Sequence, residues 1–193
     1  MAILLDIADS LRHLIQKNID DLPDENSIVL DSPVDIEPNS NTRLSVFLYQ
    51  VVENSYLKNV EPEYVGRDRM QYPPLLVDLY YLFTPYAKNR ETELIIIEKL
   101  LQVFHDNAVL KKELLKGSLK RSGNDEIRIV PNNVSFEEIN KLWERFPNKA
   151  FKLSVSCILT PVRIPSEKPL AVIKRVIRKE IDISEIGEYE NLS

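Results

Sequence analysis

A nine-residue apolar run bounded by prolines constrains the fold more than any other stretch. After Pro73 and Pro74 the chain reads LLVDLYYLF, with one charge at Asp78, and Pro85 follows soon after. Prolines break a helix at both ends, and Leu, Val, Tyr and Phe suit a buried pleated surface. The run therefore predicts a central strand covered on both faces, as in a sheet packed by helices. The pattern x-[LI]-x-T-P occurs at the end of this run, at 81–85, and again at 157–161 within the stretch 150–165. The shared pattern predicts that the two stretches form strands that pair as neighbours.

Apolar periodicity and proline positions predict the remaining elements. Ser135 and Glu138 stand at capping-box spacing, so a helix begins there. The fold class is α/β (α+β), a mixed and largely antiparallel sheet packed by about three helices, in one domain over 1–179 with an acidic tail at 180–193. The predicted helices cover 3–19, 90–107 and 135–146, with a short helical piece in 107–117, and the further strands cover 27–36 (interrupted at Pro33), 43–53, 127–131 and 169–179.

Composition narrows the possible functions. The net charge of −5 argues against a nucleic-acid binder, and a single cysteine leaves no disulfide framework. The first residues lack the basic start of a signal peptide, and no apolar run reaches the length of a membrane span. The four glycines form no phosphate-binding cluster.

Residues that could carry chemistry are isolated along the chain. His13 and His105 have no second ligand at metal spacing, and Cys157 lies in a predicted strand as a small buried residue. No catalytic motif is present. We therefore expect no enzyme, no cofactor and no metal. Asp78 could be a catalytic carboxylate, but a salt bridge to a neighbouring strand or a position at an interface is the preferred interpretation.

Residues 54–72 show neither helical nor strand periodicity and are interpreted as a long loop between two strands. Tyrosine and arginine are enriched in such loops at protein interfaces. The alternative is an ordinary surface loop with its aromatic residues tucked back on the core. The helix at 90–107 is apolar on more than one side, which predicts a second partner, either the first helix or another subunit. The candidate interface residues are Tyr56, Tyr64, Arg67, Arg69 and Tyr72, with Lys174, Arg175 and Arg178 from the basic last strand.

Five stretches in register resemble a known family. They are RLSVFLYQVVEN at 43–54, PPLLVDLYYLFTPYA at 73–87, LLQVFHDNAVL at 100–110, SFEEINKLWERF at 135–146 and LSVSCILTPVRI at 153–164. Together they resemble the tail-terminator (cap) proteins of extracellular contractile injection systems, of the N-terminal domain type. The similarity runs from the first helix to about Pro165.

The resemblance implies a structural subunit. Six copies would form a ring that closes the inner tube and anchors the last sheath layer, with a sheet edge accepting a sheath arm. The implied partners are the chain itself, sheath protein and tube protein, without nucleic acid or membrane. Assembly would occur in the bacterial cytoplasm before possible release with the particle. The alternatives are an adaptor or tail-completion protein of a contractile phage tail, or an enzyme whose unrecognised site contains Asp78, His105 and Arg67.

Overall fold

A computed structural model describes most of the chain. The chain divides into two compact units. The main unit comprises Met1–Val60 and Pro74–Pro165, and the small unit comprises Glu61–Pro73 and Ser166–Ser193. The expectation of one domain over 1–179 with a separate tail stays a prediction. The described residues are 2–22, 24–37, 41–58, 61–66 and 68–172.

The described chain contains three α-helices and nine strands, together with two short 3-10 turns at Glu25–Ser27 and Leu119–Arg121. In chain order the elements are α1 (Ile3–Asn18), β1 (Ile28–Val29), β2 (Leu44–Glu53), β3 (Glu63–Val65), β4 (Arg69–Gln71), β5 (Leu75–Pro85), α2 (Arg90–Asp106), β6 (Val109–Lys111), β7 (Glu126–Pro131), α3 (Phe136–Trp143), β8 (Val155–Ile164) and β9 (Ala171–Val172).

A six-stranded mixed sheet forms the centre of the main unit, in the order β1-β2-β5-β8-β7-β6. β1 runs parallel to β2, and all the other neighbours are antiparallel. The predicted central strand is confirmed as β5, which lies between β2 and β8. The predicted pairing of the two strands with like endings is also confirmed, because Tyr81 of β5 lies opposite Cys157 of β8.

The two faces of the sheet are covered by different helices. Alternate residues of β5, among them Leu79 and Phe83, enter a large core that also contains Leu11 of α1 and Leu100 of α2. Leu82 points to the opposite face and packs against Trp143 and Phe146, which come from α3 and the turn after it. The nearly continuous apolar sequence of β5 follows from this two-sided burial.

Side-chain caps define where two of the helices begin. Asn89 accepts a hydrogen bond from the backbone amide of Thr92 at 2.8 Å, which caps α2. Ser135 and Glu138 form the predicted capping box at the start of α3. These local hydrogen bonds satisfy backbone amides that have no partner within the helix.

The short helical piece predicted in 107–117 is wrong. The chain there forms β6, whose Leu110 is fully buried and lies opposite Ile127 of β7. Pairing with a distant strand therefore overrides the local apolar spacing. The strand predicted over 27–36 is confined to Ile28–Val29. Beyond it the Ser45 hydroxyl donates to the Asp31 carbonyl at 2.7 Å, a side-chain contact in place of strand pairing.

The small unit contains a three-stranded antiparallel sheet in the order β3-β4-β9. The region 54–72, predicted to be loop throughout, therefore holds a hairpin. Gly66 lies in its turn at φ 77°, a backbone conformation that glycine adopts without strain. The predicted last strand is described at Ala171–Val172, and residues 173–179 lie outside the described residues.

Candidate assembly interface

The predicted interface residues fall in both units. Tyr56 belongs to the main unit and follows β2, whereas Tyr64, Arg69 and Tyr72 belong to the small unit. The remaining predicted residues, Arg67, Lys174, Arg175 and Arg178, lie outside the described residues.

The small sheet brings apolar and basic side chains together on an exposed face. Val65 lies opposite Arg69, and Arg69 lies opposite Val172 on its other side. Directly opposite residues share a face, so the three side chains form one row across the sheet. Val172 is 76% exposed, and Val65 is also exposed. The other face carries Tyr64, 65% exposed, at the position opposite Met70.

Tyr72 lies beside a cation of the same small unit. The Lys168 ammonium is 5.0 Å from the centre of the Tyr72 ring, which is the geometry of a cation–π contact. This contact joins the end of the β3–β4 hairpin to the segment that leads into β9. Tyr72 is therefore half-buried, unlike Tyr64.

Tyr56 is 96% exposed at a turn whose backbone is firmly held. The buried Asn54 side chain accepts hydrogen bonds from the amides of Tyr56 and Leu57 at 3.0 and 3.1 Å. Its amide nitrogen donates to the Asp78 carboxylate at 2.9 Å. The sequence alternative of tucked-back aromatic residues therefore does not apply to Tyr56, whose ring points to solvent above an ordered turn.

Asp78 is held by hydrogen bonds from uncharged groups. Asn54 and the Thr160 hydroxyl both donate to its carboxylate. Among the described residues none forms an ion pair with Asp78, so the expected salt bridge is wrong for this part of the chain. The hydrogen bond between Asn54 and Asp78 fixes the turn that carries Tyr56.

The long helix α2 leaves apolar side chains in solvent. Ile96 and Leu100 lie in the main core, whose other members include Leu14 and Ile15 of α1. The predicted packing between these two helices is therefore present. Leu94 is 49% exposed, and Ile95 and Leu101 are exposed to a similar degree. We call these three residues the α2 stripe, and they remain available for contact with another chain.

A cleft between α3 and the sheet is a feature that the sequence did not reveal. It has a volume of about 700 Å³. At its floor the hydroxyls of Tyr49 and Ser156 are 3.0 Å apart, and the Asn132 amide donates to both. Lys141 of α3 and Arg145 of the turn after it also line the cleft. Because Tyr49 and Ser156 are 107 residues apart, no local pattern could have joined them.

The groups examined for catalysis do not come together in the described part of the chain. Asp78 is held by Asn54 and Thr160, whereas His105 is exposed in the last turn of α2. Burial raises the pKa of the Cys157 thiol to about 12, so it stays protonated and is a poor nucleophile. The described residues contain no cluster of three or more metal-ligating side chains, and none of their helices has the length and apolarity of a membrane span.

These features define an α/β scaffold whose most conspicuous exposed surfaces suit contacts with other chains. The family model of the Pvc16 N-terminal domain matches residues 6–178, and the chain belongs to that family. The resemblance to the terminator (cap) family of contractile injection systems is thereby confirmed. No curated protein sequence matches the chain.

Two solved structures share the fold. The sheath/tube terminator of PVC, an extracellular contractile injection system, in its extended state, gives a TM-score of 0.68 at 16% identity over 98% of this chain and 65% of its own. The tube-terminating cap of the anti-feeding prophage gives a TM-score of 0.64 at 14% identity over 93% of this chain and 61% of its own. The chain thus spans less than two thirds of the length of either structure.

Proposed function

We propose that the chain is a terminator subunit of a contractile injection system. In this role six copies form a ring at one end of the particle, close the inner tube and anchor the last layer of sheath. Membership of the Pvc16 N-terminal domain family over residues 6–178 is the observation that carries the proposal. The likeness to two terminators over nearly the whole chain supports it.

Two exposed surfaces suit the two kinds of contact that a terminator makes. The α2 stripe of Leu94, Ile95 and Leu101 lies on a rigid helix, which fits repeated contact between copies in a closed ring. The row of Val65, Arg69 and Val172 crosses the small sheet, whose outer strands within the described residues are β3 and β9. Such a small sheet offers edges to which a strand of sheath protein can be added.

The partners in this proposal are further copies of the chain, sheath protein and tube protein. The chain assembles in the bacterial cytoplasm and then stays with the particle. The absence of nucleic-acid and membrane partners remains an expectation from composition.

Deletion of the chain from cells that make the particle tests this role. Without a terminator, tubes and sheaths should vary widely in length, because nothing stops their growth. Returning the wild-type chain should restore one length. Particles of normal length and yield in the deletion strain would contradict the proposal.

A further inference from the structure

A basic groove lies in the main unit, between the end of β5 and the segments that precede β2 and β8. It has a volume of about 640 Å³. Its walls combine four cations and one acid, Glu37, with polar, apolar and aromatic surface. The cations are Arg43, Lys88, Lys149 and Lys152, and the apolar and aromatic residues are Ile36, Tyr86 and Ala87.

Two of the four cations have no side-chain partner among the described residues. Lys152 forms an ion pair with the buried Glu93 and lies 5.0 Å from the centre of the Tyr86 ring. Lys149 donates to the Ile36 carbonyl at 2.6 Å. Arg43 and Lys88 form no side-chain hydrogen bond or ion pair in the described part of the chain. Glu93 balances the charge of Lys152, and Glu37 is an acid of the lining, so the groove keeps a surplus of positive charge from its other cations. The whole chain has a net charge of −5.

The chain also contains a segment of opposite charge. Residues 180–193 hold five acids and no base, and they begin with the alternating sequence Glu-Ile-Asp-Ile. An extended peptide of this sequence places its first two acids on one side and its isoleucines on the other. Such a peptide matches a groove in which cations stand beside apolar walls.

We propose that the groove of one copy binds the acidic segment 180–193 of a second copy. The acids meet Arg43 and Lys88, and the isoleucines contact Ile36 and Tyr86. A free phosphate would use the cations but would leave the apolar walls without a partner, so a peptide fits better. Segment and groove are different surfaces, so the contact is heterologous and can close a ring of copies. The proposal goes beyond the terminator role and does not depend on it.

Charge reversal in the full-length chain tests the proposal. One variant carries Arg43→Glu and Lys88→Glu, and a second carries Lys at all five acidic positions of the segment. In each variant alone, the segment of one copy and the groove of the next carry charges of the same sign. Its self-association at low salt should therefore weaken by about tenfold or more. A mixture of the two variants should regain association, because each segment then meets a groove of opposite charge. Sedimentation velocity measures the mass of the complexes.

A control variant carries Lys111→Glu, a charge reversal at an exposed position of β6, the edge strand farthest from β1. It should associate as the wild type does. Unchanged thermal unfolding of all variants shows that the fold is retained.

The proposal is overturned if the wild type stays monomeric, if the groove variant associates normally, or if the mixture stays dissociated. Inorganic phosphate and chloride are also compared at equal ionic strength. Equal inhibition of association by the two salts agrees with a peptide site. Stronger inhibition by phosphate overturns the proposal. Particle length plays no part in these measurements, so the terminator role can fail independently.

Discussion

The Asn54 side chain donates to the Asp78 carboxylate at 2.9 Å and so fastens the turn after β2 to the central strand. The same side chain accepts from the amides of Tyr56 and Leu57. One buried residue thus connects the middle of the sheet to Tyr56, which is 96% exposed. Order at the Tyr56 surface depends on this polar contact rather than on apolar packing around the ring.

Asn54→Ala should destabilise the protein by about 1.5–3 kcal/mol, because Asp78 loses a donor and two turn amides lose their acceptor. Urea unfolding measures the change. The control is Asn133→Ala, since Asn133 is exposed and makes no side-chain hydrogen bond with a described residue. That variant should stay within about 0.5 kcal/mol of the wild type. Equal unfolding free energies of the two variants would show that Asn54 does not stabilise the turn.

The free energy of unfolding should fall at acidic pH, because protonation of Glu93 weakens its ion pairs. Burial alone would raise the pKa of this carboxyl, but hydrogen bonds from Lys152 and Arg90 outweigh burial and hold its pKa below the usual value. A carboxyl with a lowered folded pKa stabilises the protein above its unfolded pKa of 4.5, and this contribution is lost as pH falls towards the folded pKa.

Glu93→Gln should therefore be less stable than the wild type at neutral pH, by about 1.5–3 kcal/mol, because two cations lose a charged acceptor. The difference should shrink steadily below the unfolded pKa. Urea midpoints recorded across acidic and neutral pH measure both curves. Parallel curves down to the lowest pH at which the protein still folds would show that Glu93 does not cause the acid sensitivity.

Gly117→Ala should be more destabilising than Gly123→Ala. Both glycines have positive φ, at 57° and 76°, so alanine costs about 1–2 kcal/mol of backbone strain at either site. A Cβ at Gly117 would also come within 2.7 Å of all three Asp6 carboxylate atoms, whereas the nearest atom at Gly123 is 3.9 Å away. Asp6 accepts from the Ser118 amide at 2.8 Å, so moving it breaks a contact between α1 and the turn. Equal thermal unfolding shifts for the two variants would contradict this account.

Combined Tyr64→Ala and Arg69→Ala should weaken attachment to sheath and tube protein, because both side chains lie on the small sheet. Binding should fall about tenfold or more, as at interfaces that rely on aromatic and arginine anchors. Co-sedimentation with purified sheath and tube measures it. Lys111→Ala serves as the surface control, and unfolding curves of all three proteins should agree. Because Tyr64 and Arg69 lie on opposite faces of that sheet, unaltered binding of the double variant would exclude both faces of the small sheet as the docking surface.

The central sheet could be predicted from sequence because its signals are local. The apolar run between Pro74 and Pro85 could only be a buried strand, and the capping box at Ser135 marked its helix directly. The terminator resemblance rested on five local stretches and on their order along the chain. Nothing more than neighbouring residues was needed for these predictions.

The small sheet, β6 and the polar cluster in the cleft depend on distant partners. β3 and β4 are three residues each, too short for a periodic signal, and β4 pairs with β9 about a hundred positions later. Asn132 follows β7, and it meets Tyr49 and Ser156 only because β2, β5, β8 and β7 are consecutive neighbours in the folded sheet. Sequence reasoning therefore named Tyr64 and Arg69 without the strands that hold them, and Tyr72 without the hairpin that it follows.

The position of the chain on the particle tests the terminator role most directly. Particles should be purified from cells that produce this chain, labelled with gold-conjugated antibody against it, and imaged by electron microscopy. The proposal predicts label at one end of each extended particle and none along the sheath. Label distributed along the sheath, or particles that carry none of the chain, would contradict it.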